Sequence, residues 1–194
     1  MNQLEMIATY MQRRLNALSH DPNEGRVRSQ LANLRRGIGK MPGDLPELWG
    51  TLFADMPENM MSQNGEPTRA EWAVYIALTL YALHQQSKNI RVKNMHCTEN
   101  KGRLGLAVGS LVKVPEDRDR IARRFNAFAT ANDIQEAAHY LRGVIDLLRA
   151  NDIPLDYVRF ACELYRFQDP DAAPNVRLKW GQDFYHMKLN EDPH

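Results

Sequence analysis

Apolar residues recur at three- and four-residue steps along almost the whole chain, the spacing of one face of an α-helix. Leu4, Ile7, Met11, Leu15 and Leu18 predict a first amphipathic helix, broken at Asp21-Pro22-Asn23 and Gly25. Val27, Leu31, Leu34 and Ile38 predict a second, ended by Gly37 and Gly39. A loop with Pro42, Gly43 and Pro46 leads to a short apolar segment around Leu48, Trp49, Leu52 and Phe53, and Met56–Pro67 reads as loop by composition. Thr68 followed by Glu71 has the form of a capping box, opening a helix to about Gln86 that is apolar on much of its circumference and so belongs in the core.

The second half continues in the same period. Ser87–Gly102 is a long basic and polar connection. Leu104–Val114 predicts a short helix whose Gly105 and Gly109 allow close packing, and Pro115 fits the first turn of a helix carrying Ile121, Phe125 and Phe128 inward. Asp133 with Glu136 caps a helix striped by Ile134, Leu141, Ile145 and Leu148. Pro154 is expected to start the next helix, and the last runs from Val176 to about Leu189. No alternating pattern marks a strand and no internal repeat is visible. The expectation is an all-α fold of eight or nine helices in two packed helical lobes, residues 1–94 and 95–194, divided in the connection after Ser87.

The chain has 194 residues, enough for one domain or two small lobes with a core that needs no disulfide or metal. Cys97 and Cys162 are far apart and fit no ligand pattern, as expected of reduced thiols in a cytoplasmic protein. The start, MNQLEMIATYMQRRL, has no apolar signal-peptide core, and no apolar run is long enough to span a membrane.

Lysines and arginines total 25 against 24 acids, a net charge of +1, but the distribution is uneven. Arg26, Arg28, Arg35, Arg36 and Lys40 lie in a stretch with no acid, and Lys88–Lys113 holds six basic residues against Glu99 alone. Between them, Asp44, Glu47, Asp55, Glu58, Glu66 and Glu71 face only Arg69. Strongly basic and acidic surfaces are therefore expected in different places on a nearly neutral protein.

The residues that commonly carry chemistry lack their partners. Gly37-Ile-Gly39-Lys40 ends a helix, whereas a phosphate loop joins a strand to one. Glu136-Ala-Ala-His139 is half of a di-iron motif without the second half. His96-Cys97 has no further ligand at metal spacing, and Cys162 sits on an apolar face. No catalytic residue, metal site or cofactor is expected, and the protein reads as a non-enzyme.

The arginines form a pattern instead. Arg28 and Arg35 are seven apart on one face, as are Arg142 and Arg149 on another helix. Arg123 and Arg124 lie mid-helix, with Arg120 four residues before Arg124, and Arg177 and Lys179 begin the last helix. A single such residue is usually a solvated face or a complement to a helix C-terminus. Several groups on separate helices, in arginine more than lysine, suit bidentate phosphate contact. If they converge, they make a sequence-neutral track whose binding weakens with salt. Phe125 and Phe128 face inward, so no stacking platform is expected and the contact is electrostatic. The competing reading is a protein scaffold, in which the same arginines meet acidic patches of partner subunits.

Seven segments in order carry a family resemblance. They are Leu31-Ala-Asn-Leu-Arg-Arg-Gly37, Ala77-Leu-Thr-Leu-Tyr-Ala-Leu-His-Gln85, Leu104-Gly-Leu-Ala-Val108, Arg123-Arg-Phe125, Tyr140-Leu-Arg142, Pro154-Leu-Asp-Tyr157 and Lys179-Trp-Gly-Gln-Asp-Phe-Tyr185. Over roughly residues 25–185 the chain resembles the CasB family, the small subunit of the type I-E CRISPR surveillance complex Cascade. The resemblance implies a helical, non-catalytic subunit, paired head to tail with a second copy and bound to the CasC backbone and the large subunit CasA. It implies contact with the CRISPR RNA-guided assembly and with target and displaced DNA strands in the R-loop, in antiviral defence. Carried onto this chain, the binding residues are Arg35, Arg36, Arg123, Arg124, Arg142 and Lys179. Arg28 joins them from its helix face, and Lys101, Arg103 and Arg177 by flanking position.

Overall fold

The computed structural model describes residues 2–186. Among them nine α-helices form and no β-strand, so the fold is all-α. In chain order they are α1 (Gln3–His20), α2 (Glu24–Arg36), α3 (Trp49–Leu52), α4 (Arg69–His84), α5 (Leu104–Gly109), α6 (Asp117–Ala129), α7 (Ile134–Ala150), α8 (Tyr157–Phe167) and α9 (Ala173–His186). Most starts are dictated locally. The side chains of Asn2, Asn23, Thr68, Asp133 and Asp156 each accept the backbone N–H three residues on, satisfying an amide the helix leaves orphaned. Thr68 and Glu71 form the reciprocal capping box read from their spacing.

Four boundaries differ from the sequence reading. The helix from Leu104 stops at Gly109, short of Val114. Pro115 falls just before Glu116, the N-cap of α6, instead of inside its first turn. Asp156 caps α8, which displaces its start from Pro154 to Tyr157. α9 begins earlier than Val176, with Pro174 in its first turn where the missing N–H costs nothing; its expected end at Leu189 lies outside the described residues.

α4 is the axis of the core, with every residue from Ala73 to His84 buried. α2, α7 and α8 pack around it, and α8 also lies against α1, so elements from both halves of the chain share one apolar cluster. Tyrosines tie the axis to its surroundings by their polar ends. The Tyr75 hydroxyl donates to the Gly37 carbonyl at 2.6 Å, and that of Tyr81 to Asn94 Oδ1 at 2.9 Å. α5 meets α9 at very close range: a Cβ on Gly105 would overlap the Trp180 carbonyl oxygen. That contact is open only to glycine.

The connection after α4 is pinned at both ends. Buried Gln85 accepts from Met95 N–H at 2.9 Å and donates to the Lys93 carbonyl at 2.9 Å. Leu155 N–H donates to the Met95 carbonyl at 3.0 Å, and Cys97 N–H donates to the Leu155 carbonyl at 3.1 Å. These bonds hold Lys88, Arg91 and Lys93 beside the ends of α2 and α4.

Candidate nucleic-acid interface

α2 and α7 both pack against α4, and cations stand along the seam they make with it. On α2, Val27, Leu31 and Leu34 face inward, which leaves Arg28 and Arg35 at the edge of that face. Arg35 is half-buried over the end of α4, its guanidinium donating to the Ala82 carbonyl at 3.4 Å. Burial lowers its pKa, and the nearby charge of Arg149 lowers it further. Arg149 reaches across from α7, donating to Gln86 Oε1 at 2.9 Å and pairing with Asp146 at 3.0 Å. Two guanidinium groups from different helices are thus held close together, and Arg35 has no carboxylate partner among the described residues. An anion is the group that would relieve this arrangement.

Beside Arg35 opens a groove of about 520 Å³ between α2 and the Gln85–Arg91 turn, lined by Arg28, Arg35, Lys88 and Arg91. Its one acid, Glu24, is engaged by Arg28 at 3.6 Å and Arg91 at 3.1 Å. At its margin Asp152 is held by Lys88 and Lys93, whose hydrogen bonds pull its carboxyl down to about 2. Around the groove and its margin the cations Arg28, Arg35, Lys88, Arg91, Lys93 and Arg149 outnumber the acids Glu24, Asp146 and Asp152.

A second, smaller depression of about 260 Å³ lies further along the same seam. The Ile38–Met41 turn, α4 and α7 enclose it, and Lys40, His139 and Arg142 stand at its rim. No acid lines it. Gly39 carries the positive φ of 78° that aims this turn, and a Cβ there would meet nothing within 4 Å. Seven residues along α7, about 10 Å at 1.5 Å per residue, separate Arg142 from Arg149, so the two depressions follow one line. Arg124 of α6 approaches that line from the other side, its Nη1 3.6 Å from where a Cβ on Gly143 would sit.

The sequence-predicted residues therefore divide. Arg28, Arg35 and Arg142 stand along the seam, with Arg124 beside it. Arg123 is exposed on α6, donating to the Asp119 carbonyl at 3.3 Å. The others are engaged elsewhere. Arg36 pairs with Glu47 at 3.0 Å and Lys101 with Glu99 at 2.7 Å. Arg103 and Lys179 converge on buried Asp183, locking α5 to α9. Arg177 donates to the Ala129 carbonyl at 2.7 Å, at the end of α6, and lies over the Phe167 ring. Five cations of the seam and its margin were absent from the predicted set: Lys40, Lys88, Arg91 and Lys93, all within the basic runs, and Arg149, seven residues after Arg142.

The acidic segment is partly spent internally as well. Glu47 pairs with Arg36, Asp55 lies 3.8 Å from Arg14, and Glu71 is buried in its capping box. Among the described residues no cluster of three metal-ligating side chains forms, and no helix is long and apolar enough to cross a membrane. His84 is buried, its Nδ1 sharing a hydrogen bond with the Tyr157 hydroxyl at 3.0 Å, and burial pushes its pKa down to about 3.

Comparison with known proteins gives a consistent set of likenesses. The family model described as CRISPR-associated protein Cse2 matches residues 30–185. The fold is similar to the crystal structure of CasB from Thermobifida fusca, at 33% identity and a TM-score of 0.71, covering 93% of this chain and 98% of that one. It is similar to M. ruber CasB at 21% identity and a TM-score of 0.66, covering 91% and 93%. A Cse2-family CRISPR-associated protein from Thermus thermophilus shares the fold at 20% identity and a TM-score of 0.65, covering 96% and 100%. Among proteins with curated descriptions, none matches.

Proposed function

The chain belongs to the Cse2 (CasB) family of CRISPR-associated proteins, and from that premise we propose that it is a non-catalytic subunit of Cascade whose α2–α4–α7 seam holds a nucleic-acid backbone. The observation that carries this reading is Arg35. It is a half-buried cation with no acidic partner among the described residues, set beside Arg149 and continued by Arg142 and Lys40 along one line. Neutralising such a row by phosphates releases counterions and needs no base readout. An R-loop exchanges one duplex for another of similar stability, so a few backbone contacts are enough to bias it. In this reading the strands held are those of the guided R-loop, target or displaced, and the guide RNA supplies the sequence specificity.

The remaining partners follow from the family. CasC, CasA and a second copy placed head to tail are the proposed neighbours. Leu178 and Tyr185, seven apart on α9 and 60% and 63% exposed, provide an apolar face suited to a protein contact away from the seam.

The test uses the assembled complex carrying Arg35→Glu, Arg142→Glu and Arg149→Glu in this subunit. The expected result is normal incorporation with a shorter-lived R-loop, read by permanganate footprinting of the displaced strand. Loss of incorporation instead would assign these cations to subunit contacts, the scaffold reading.

A further inference from the structure

The smaller depression on the seam has a composition that backbone contact alone does not need. From α4 it is lined by Trp72, Tyr75, Ile76, Thr79 and Leu80, with the Tyr75 and Thr79 hydroxyls spent on the Gly37 and Ile76 carbonyls, so that side presents mainly the Trp72 ring. Its rim is cationic or basic, with Lys40 from the turn after α2 and His139 and Arg142 from α7. Trp72 is half-buried, the one α4 residue after Arg69 that is not withdrawn into the core, and its ring meets Tyr75 edge-on at 6.3 Å. No acid lines the space, and Lys40 and Arg142 form no ion pair among the described residues.

A half-exposed indole beside cations without ion pairs matches one chemistry closely. A nucleobase presents a π-face that stacks on aromatic or apolar surface, while its own phosphate stays within reach of the rim. At about 260 Å³ the space is below the usual range for drug-sized ligands and suits one ring system. It also lies seven residues along α7 from Arg149, which bonds Gln86 at the edge of the Arg35 groove, so a strand tracked by those arginines passes over it.

We propose that this depression seats a single unstacked base of the strand held by the seam. Trp72 supplies the stacking floor, and Lys40 and Arg142 hold the flanking phosphates. The inference rests on the backbone-binding reading and adds to it: the seam senses that its strand is single, because a paired base is not free to enter.

The test compares a ten-nucleotide oligothymidylate with an abasic strand of the same length and charge, by fluorescence anisotropy on the full chain across a salt series. The wild type is expected to bind the base-bearing strand on the order of tenfold tighter, with similar salt slopes for both. Ala138→Phe, which fills the space, and Trp72→Leu, which keeps apolar contact but removes the flat ring, should each erase most of that preference. Both should leave the abasic affinity in place. Equal affinity of the wild type for the two strands overturns the base seat while the backbone reading stands. A preference that survives in both variants overturns it too. Failure to bind either strand, or binding indifferent to salt, removes the backbone reading and this one with it.

Discussion

Removing the unpaired cations should be measurable as a change in salt slope. For single strands the logarithm of affinity falls with the logarithm of salt by about 0.7 per phosphate neutralised. The combined variant Arg35→Ala, Arg142→Ala, Arg149→Ala deletes three candidate contacts. Arg35 and Arg142 have no acidic partner among the described residues and should count in full, whereas Arg149 already shares Asp146 at 3.0 Å and should count for less. The slope is therefore expected to shrink by about 1.4 to 2. Each full contact is worth roughly fivefold in affinity at 0.1 M salt relative to 1 M, so the loss at 0.1 M should be about 25- to 100-fold. The control is Arg36→Ala with Lys179→Ala. Those side chains are engaged by Glu47 and Asp183, and the slope should move by less than about 0.5. Anisotropy titration of a labelled single strand from low to high salt, on chains with matched melting temperatures, reads both numbers. An unchanged slope in the triple variant, or an equal loss in the control, would refute the assignment of phosphate contacts to the seam.

Three further outcomes concern the frame that holds the seam. Gly105→Val should destabilise by about 2–3 kcal/mol, since its Cβ would overlap the α9 backbone; thermal melting should drop by roughly 4–12 °C. Asp183→Asn leaves Arg103 and Lys179 without their shared counter-charge at the α5–α9 contact, and denaturant titration should show a loss of about 3 kcal/mol with the fold retained. His84 is buried neutral with its pKa pushed down to about 3, against about 6.5 when unfolded, so the unfolded state takes up the proton first. Stability should then fall by roughly 1.4 kcal/mol per pH unit from about pH 6 towards pH 3, and His84→Gln should flatten that stretch of the curve, whatever its offset at pH 7.

The helices were legible because their causes are local. Apolar spacing and a cap three residues from its amide partner are visible in any short window, and the Thr68–Glu71 box and the Asp133 cap appear where that spacing puts them. The boundary at α8 was missed because two signals compete within three residues, and the Asp156 side chain overrides Pro154. The depression over Trp72 was not legible. α4 is apolar on nearly every side, so no periodicity distinguishes the stripe that lines the depression, where Trp72 stays half-exposed, from the others. Only the placement of the Ile38–Met41 turn and α7 does so.

Which arginines stay available follows from a rule part local and part not. An acid three or four residues away on the same helix can pair with a cation, as Glu24 does with Arg28, Asp117 with Arg120 and Asp183 with Lys179. Arg35 has Leu31, Ala32, Ile38 and Gly39 at those positions, and Arg124 has Arg120, Ile121, Ala127 and Phe128, so neither has a local carboxylate. Arg142 has one, Asp146, but Arg149 engages it from the other side. Arg103 has Glu99 four residues before it, outside any shared helix and already paired with Lys101. Its counter-charge is Asp183 instead, 80 residues away, which no window of sequence reveals. A local scan therefore over-counts available cations, and the fold subtracts those that close long-range contacts. Of the cations it leaves, Arg35 and Arg142 are on the helices flanking α4, where the neighbouring surface is α4 itself, and α4 supplies apolar side chains and carbonyls but no carboxylate facing the seam. The basic seam thus follows from putting an uncharged stretch of helix at the centre of the fold: α4 offers the arginines at its edges no carboxylate, so Arg28 and Arg149 pair only with acids of their own helices, and Arg35 and Arg142 pair with none among the described residues.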